Sequence, residues 1–285
     1  MAIDEVFFYF TLFAVFSTLF GACVGSFLNV CIYRIPRDES VVTPRSHCPH
    51  CGTLIPWYLN IPVLSWCCLR GKCASCKGPI AIRYTLVELL TAALFLAVYL
   101  QWTLPATFHM NPITHPLIVP IYWLFVAGLV LGTFVDFEHY IIPDSVTIGG
   151  MIVGPILSAL VPAMHGQDIW WKGLLHSGLG LSIGFCSLFA ISWIGEKIFK
   201  KEAMGFGDVK LLGAIGAFLG WQAVLFTIVA SSFLGSIVGV TMIALRSAKM
   251  QSEIPFGPYI AAGALIWTFY GTPLIKAYMR IMSCL

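Results

Sequence analysis

Charged residues are scarce in this 285-residue chain: 10% are Asp, Glu, Lys or Arg, while 59% are hydrophobic. A soluble globular domain carries about 25% charged residues. A water-soluble fold of this composition would have nowhere to put its apolar surface, so the surplus is expected to face lipid. The mean hydropathy of +0.88 points the same way. A lipid bilayer is the expected surrounding, and no nucleic-acid partner is expected.

Also missing is a basic region ahead of the first apolar stretch. Asp4 and Glu5 precede residues 6–32, and Arg34 and Arg37 follow them. The stretch is too long for the apolar region of a signal peptide and carries the wrong flanks. It reads as a membrane anchor with its N-terminus outside. The chain has no internal repeat and no low-complexity tract. It also lacks a G-x-G-x-x-G loop, which argues against a soluble Rossmann-type nucleotide domain.

What the chain has in abundance is long apolar segments. A membrane span needs about 20 largely apolar residues. Candidates lie at 6–33, 83–103, 118–136, 145–162, 172–196, 206–220, 222–246 and 256–276, with a tight turn near Gly220 and Trp221. The expected fold is an all-α polytopic membrane protein with about eight transmembrane helices. With the N-terminus outside, thirteen Lys and Arg residues fall on inner connections: Arg34, Arg37, Arg45, Arg70, Lys72, Lys77, Arg83, Lys197, Lys200, Lys201, Lys210, Arg246 and Lys249. Only Lys172, Lys276 and Arg280 fall outside, and the connection 104–116 has no Lys or Arg. Cytoplasmic loops carry the basic excess, which sets this orientation. The organisation that follows is a first transmembrane helix over 1–33, a cytoplasmic cysteine-bearing loop domain over 34–82 and a transmembrane core over 83–285.

Ten cysteines are present. Cys23, Cys31, Cys186 and Cys284 sit in or beside apolar runs, where thiols usually act as small hydrophobes. Cys48-Pro-His-Cys51 and Cys73-Ala-Ser-Cys76 form two C-x-x-C pairs separated by 21 residues. Two such knuckles can converge four thiolates on one tetrahedral site, which suits Zn²⁺. Four filled positions leave none for substrate, so the metal would be structural. The segment 34–82 is too small for a strong apolar core and would gain from such a cross-link. Arg45, Arg70, Lys72 and Lys77 would offset the thiolate charge. A pair of disulfides or free thiols is the plainer reading, although a cytoplasmic loop disfavours disulfides. Iron is a further occupant of S₄ sites. His47 and His50 read as surface residues beside the site.

Acidic side chains at membrane depth are costly and each calls for a reason. Asp136 closes the third candidate span in Gly132-Thr-Phe-Val-Asp136-Phe-Glu138-His139. Asp208 opens the sixth in Met204-Gly205-Phe206-Gly207-Asp208-Val209-Lys210. The charge count places both on the inner side, where they can share a depth. Two carboxyls brought close cannot both ionise cheaply. The charged one can activate water while the protonated one donates to a carbonyl oxygen. Gly205 and Gly207 would let an extended backbone approach Asp208. Against this, Asp208 and Asp144 can be read as helix N-caps, and Glu138 and His139 as interfacial residues. Intramembrane acids also mark ion paths.

In this order the motifs resemble the bacterial type IV prepilin peptidases, GxGD-type membrane aspartyl proteases. The resemblance runs from Gly25–Pro36 through both C-x-x-C pairs and Arg83-Tyr-Thr-Leu-Val-Glu88. It continues through Asp136 with Ile142-Pro143-Asp144, Gly205-Phe-Gly207-Asp208-Val-Lys210 and Ile254-Pro-Phe-Gly-Pro258. It implies cleavage of the basic leader of prepilins or type II secretion pseudopilins at the cytoplasmic face of the inner membrane, between a Gly and usually a Phe. N-methylation of the new amino terminus with S-adenosylmethionine follows. The resemblance maps the catalytic pair onto Asp136 and Asp208, with Gly205, Gly207, Asp144 and Lys210 in support, and the zinc ligands onto Cys48, Cys51, Cys73 and Cys76. Cys67 and Cys68 look optional. Glu88, Arg83 and Asn29, with Arg34, are the candidates for the methyl-transfer or substrate site, and Glu88 has a plainer reading as a helix-end charge paired with Arg83. The competing functions are a zinc-loop transporter or ion carrier using the same aspartates as proton sites, and a redox protein built on the C-x-x-C pairs.

Overall fold

The computed structural model describes residues 3–103, 115–200, 204–245 and 255–283. Most of the connection 104–116, together with Lys201, Arg246, Lys249, Ile254 and Cys284, lies outside these residues. Among the described residues the regular structure is helical, apart from two isolated bridges, His47 with Leu54 and Lys72 with Pro79. The helices are α1 (Ile3–Arg34), α2 (Leu64–Cys68), α3 (Arg83–Thr103), α4 (Ile118–His139), α5 (Asp144–Leu160), α6 (Trp170–Phe199), α7 (Phe206–Leu219), α8 (Trp221–Ala244) and α9 (Gly257–Met282).

Among the described residues, eight long helices form where the apolar segments predict them. Five of them, α1, α3, α4, α6 and α8, are long and apolar enough to cross a membrane. Among the described residues that measure does not confirm the expected eight crossings. Helix α7 has 14 residues, about 21 Å at 1.5 Å per residue, against a hydrocarbon core of about 30 Å. Helix α5 has 17 residues and is likewise short.

The chain divides into two compact units, one of residues 1–104 with 122–131 and one of 105–121 with 132–285. In the first, α1 and α3 lie in close contact. A Cβ on Gly25 would sit 2.7 Å from the Cα of Glu88, and one on Gly21 would sit 2.9 Å from the Cα of Ala92. Small residues allow such backbone approach, which drives helix association in lipid. Phe95 and Trp123 stack with ring centroids 5.2 Å apart, and the indole N–H of Trp123 donates to Phe95 O at 3.0 Å.

The second unit is built around α7, whose residues Val209 and Leu211–Phe218 are buried. Helix α6 meets it backbone to backbone: a Cβ on Gly180 would fall 2.0 Å from Gly216 O. The buried hydroxyl of Ser177 donates across this contact to Ala217 O at 2.7 Å. Helix α5 packs on another side, with Gly154 against Ala217. A single residue, Gly220 at φ +83°, separates α7 from α8. Left-handed φ at this reversal suits glycine. The burial of α7 from several sides holds the start of the helix, and with it Asp208, in one place.

Candidate active site and cysteine cluster

Asp136 lies in the last turn of α4 and Asp208 in the first turn of α7. Both are buried, at 5% and 7% exposure. Asp136 Oδ2 accepts a hydrogen bond from the backbone N–H of Gly257 at 3.0 Å. Gly257 is the first residue of α9, so this carboxylate satisfies a donor that the helix leaves unpaired. A Cβ on Gly257 would stand 2.7 Å from that same oxygen and 3.0 Å from Ile142 Cδ1. Ile142 in turn lies against Gly207, where a Cβ would come within 3.3 Å of Ile142 Cβ. Ile142 therefore touches the glycine beside each acid. The two acids, far apart in sequence, share one site.

The helix-cap reading of the acids gives way here. The N-cap of α7 is Gly205 and that of α5 is Pro143, neither with a side-chain cap bond. Asp208 and Asp144 both fall inside the first turn. Asp144 pairs with Lys210 and is mostly exposed, at 63%, so it lies outside the buried pair. The two glycines differ as well. A Cβ at Gly205 would meet only Asp208 Oδ2, at 3.6 Å, so space is open there. Gly207 is closed off by Ile142.

The residues grouped as methyl-transfer candidates all lie in the first unit. Glu88 is buried, and its Oε2 accepts from the backbone N–H of Val63 at 2.7 Å. Val63 adopts φ +62°, an uncommon conformation for a β-branched residue. Asn29 donates through Nδ2 to Tyr84 O at 2.9 Å, while its buried Oδ1 has no partner. The guanidinium of Arg34 donates to Ser40 O at 2.9 Å and Pro44 O at 2.7 Å. Arg83 lies 4.9 Å from the centroid of the Tyr84 ring. Arg34 and Glu88 thus tie the cysteine-bearing loop to α1 and α3.

Within that loop Cys48, Cys51, Cys73 and Cys76 place their sulfurs within 4.8 Å of one another, and Cys48 and Cys76 are 3.9 Å apart. A tetrahedral site with 2.3 Å metal–sulfur bonds has sulfur–sulfur edges of about 3.8 Å. All four thiols are free, so the disulfide reading fails and the donor set fits a metal ion. The knuckles are built alike: Gly52 N–H donates to Cys48 O and Lys77 N–H to Cys73 O. Gly52 and Lys77 both take positive φ. Hydrogen bonds with Thr53 bring the Cys51 thiol down to about 6, and the backbone N–H groups of Cys76 and Ser75 lower Cys73. Cys76 goes the other way: the Gly78 N–H lowers it, yet burial and the neighbouring thiols outweigh this and raise it to about 11. Crowded thiols resist losing successive protons, a resistance that a bound cation removes.

Sequence reasoning missed a role for Gly257 and Ile142. Both lie in motifs already noted, but an isolated glycine and an isoleucine carry no chemical signal of contact with an acid.

Residues 19–102 match the Bacterial Peptidase A24 N-terminal domain, and residues 123–240 match the Type IV leader peptidase family. A prepilin leader peptidase/N-methyltransferase of Myxococcus xanthus is 39% identical over 96% of this chain and 78% of its own length. Proteins with the same name from Aeromonas hydrophila and Pseudomonas aeruginosa are 35% and 33% identical, over 92% and 94% of both chains respectively. No solved structure matches the chain.

Proposed function

Because the chain belongs to the prepilin leader peptidase/N-methyltransferase family, we propose that it cuts the leader from prepilins or pseudopilins and methylates the amino terminus so exposed. The observation that carries the peptidase reading is that two buried acids, Asp136 and Asp208, are joined through Gly257, Ile142 and Gly207 in one site. Neither the relatives nor the geometry favours a carrier.

Asp136 and Asp208 act as a pair that holds one proton between them. The ionised carboxylate takes a proton from water as the water oxygen bonds to the scissile carbonyl carbon. The protonated carboxyl gives its proton to the carbonyl oxygen. Collapse of the tetrahedral intermediate breaks the carbon–nitrogen bond: the carboxyl that took the proton from water gives it to the leaving amine, and the other carboxylate takes back the proton from the hydroxyl as the carbonyl re-forms, which restores the pair. The Gly257 N–H fixes one oxygen of Asp136, and open space at Gly205 admits the substrate backbone beside Asp208. Lys210 and Asp144 support the start of α7 and α5 from outside the pair.

Cys48, Cys51, Cys73 and Cys76 would hold a structural Zn²⁺, which would cross-link the loop and supply no chemistry to the cut. The methyl donor is S-adenosylmethionine, which supplies an electrophilic methyl group to the neutral amine. Glu88, Asn29 and Arg83 belong to the methylation half. Glu88 serves there by positioning: it fastens the loop through Val63. The division into 1–33, 34–82 and 83–285 sets the cysteine-bearing loop apart from the helices on either side of it. The thirteen-to-three bias of basic residues supports an inner-membrane protein with a periplasmic N-terminus and an active site toward the cytoplasm.

Purified protein incubated with one prepilin, with and without methyl donor, tests this by product mass. Leader loss under both conditions and one added methyl group only with donor are expected. An intact prepilin would refute the reading.

A further inference from the structure

The cysteine-bearing loop carries large apolar side chains on its surface. Trp57 is 76% exposed, Leu64 61% and Tyr58 57%, and Ile61 between them is exposed as well. Apolar side chains gathered in this way mark an interaction surface. One hydrogen bond sets their depth. The Val63 N–H donates to Glu88 Oε2, and Glu88 lies five residues inside α3, about 7.5 Å along its axis. A helical side chain leans back toward the helix start, so the Val63 N–H lies about level with the first turn of α3. Leu86 in that turn, and Leu89 and Leu90 in the next, are exposed on a helix long and apolar enough to cross a membrane. Ile61 and Leu64 flank Val63 in sequence, so both lie where α3 enters the bilayer. The bonds from Arg34 to Ser40 O and Pro44 O hold the other end of the loop against α1.

Charge points to the same partner. Residues 40–82 contain no Asp or Glu, while Arg45, Arg70, Lys72 and Lys77 are all exposed. A zinc ion on four thiolates would leave two negative charges, fewer than these four cations. A basic peptide would find no acid here, whereas anionic headgroups would meet a net positive surface. Cations beside a membrane helix attract anionic lipid, and Trp and Tyr collect at headgroup level. We infer that residues 57–64 dock into the headgroup layer of the leaflet that α1 and α3 share with the loop. Trp57, Tyr58, Ile61 and Leu64 enter the lipid, and the four cations face anionic headgroups. The docking stands apart from the peptidase reading, because no step of the cut is part of it.

The test places full-length protein in vesicles of phosphatidylglycerol and phosphatidylcholine, with or without bromines near the top of the acyl chains. Emission from Trp57 is read as wild type minus Trp57→Phe. That emission should lose most of its intensity to brominated lipid and little to acrylamide in the water. Vesicles of phosphatidylcholine alone should shift the balance toward acrylamide. Tyr58→Trp, read as variant minus wild type, reports the same depth if Trp57→Phe does not fold. Quenching by acrylamide and not by bromine would show the loop standing off in water and overturn the docking. Quenching by neither would mean that protein covers the patch, and would overturn it equally. A balance unchanged between the two lipid mixtures would overturn the part assigned to the cations.

Discussion

A methyl group added at Gly257 would stand 2.7 Å from Asp136 Oδ2, closer than real Cβ atoms come. Gly257→Ala must therefore displace the carboxylate or the start of α9. Cleavage should fall about tenfold or more, since small misplacements of a reacting group are costly, while abundance in membranes stays near normal. Wild-type cleavage in that variant would show that the Gly257 contact has no bearing on Asp136. Asp144 is the opposite case. Its own side chain is mostly exposed where it pairs with Lys210, and pairs open to solvent are worth about 0–1 kcal/mol. Asp144→Asn should leave prepilin cleavage within about twofold of wild type, as measured by initial rates. The acids were legible in the sequence because charge at membrane depth is expensive and rare. Gly257 was not, because a glycine ahead of a proline at a helix start needs no chemistry to explain it.

At the scale of elements, the loop 34–82 hangs on four thiols and two anchors. Cys48→Ser should remove bound zinc and lower methylation or abundance before cleavage, read by metal content and product mass in one preparation. Complete loss of cutting in a well-folded, abundant Cys48→Ser protein would place the loop in the cutting step. The C-x-x-C spacing was enough to find these ligands. The anchors were not legible in that role: Glu88 and Arg34 looked like site residues, and only the folded chain shows them holding the loop. The short turn between α5 and α6 carries a second consequence. His165 is half-buried and faces His176; loss of hydration and then that neighbour bring its pKa from 6.5 down to about 4, while its Nε2 lies 3.0 Å from Ser158 Oγ. With the folded value below the unfolded one, the unfolded chain binds the extra proton, so stability falls as pH drops from about 6.5 to about 4. The loss is about 3 kcal/mol at most. His165→Gln should flatten that slope in thermal unfolding, and an unchanged slope would assign it to other groups.

For the molecule as a whole, the basic residues predict which side of the membrane each connection faces. Cys67 and Cys68 are exposed thiols in the loop. A membrane-impermeant maleimide should label them in inverted vesicles and leave them untouched in intact spheroplasts. The reverse pattern would invert the topology. Helix positions were legible from apolar runs alone, because the long helices of the described residues lie where those runs are. Crossing was less legible, since α7 owes its apolar character to burial inside the second unit rather than to lipid. A run of buried core and a run of lipid-facing side chains look alike until the neighbours are known.

The central claim is that Asp136 and Asp208 cut as one unit, and single substitutions test it most directly. Asp136→Asn, Asp208→Asn and the double variant should all fall to one common background in prepilin cleavage. Each should be down by about 10²–10⁴ or more, without additivity, while methylation of an already cut pilin persists. A single Asn variant of normal abundance that still cuts within about tenfold of wild type would contradict the account.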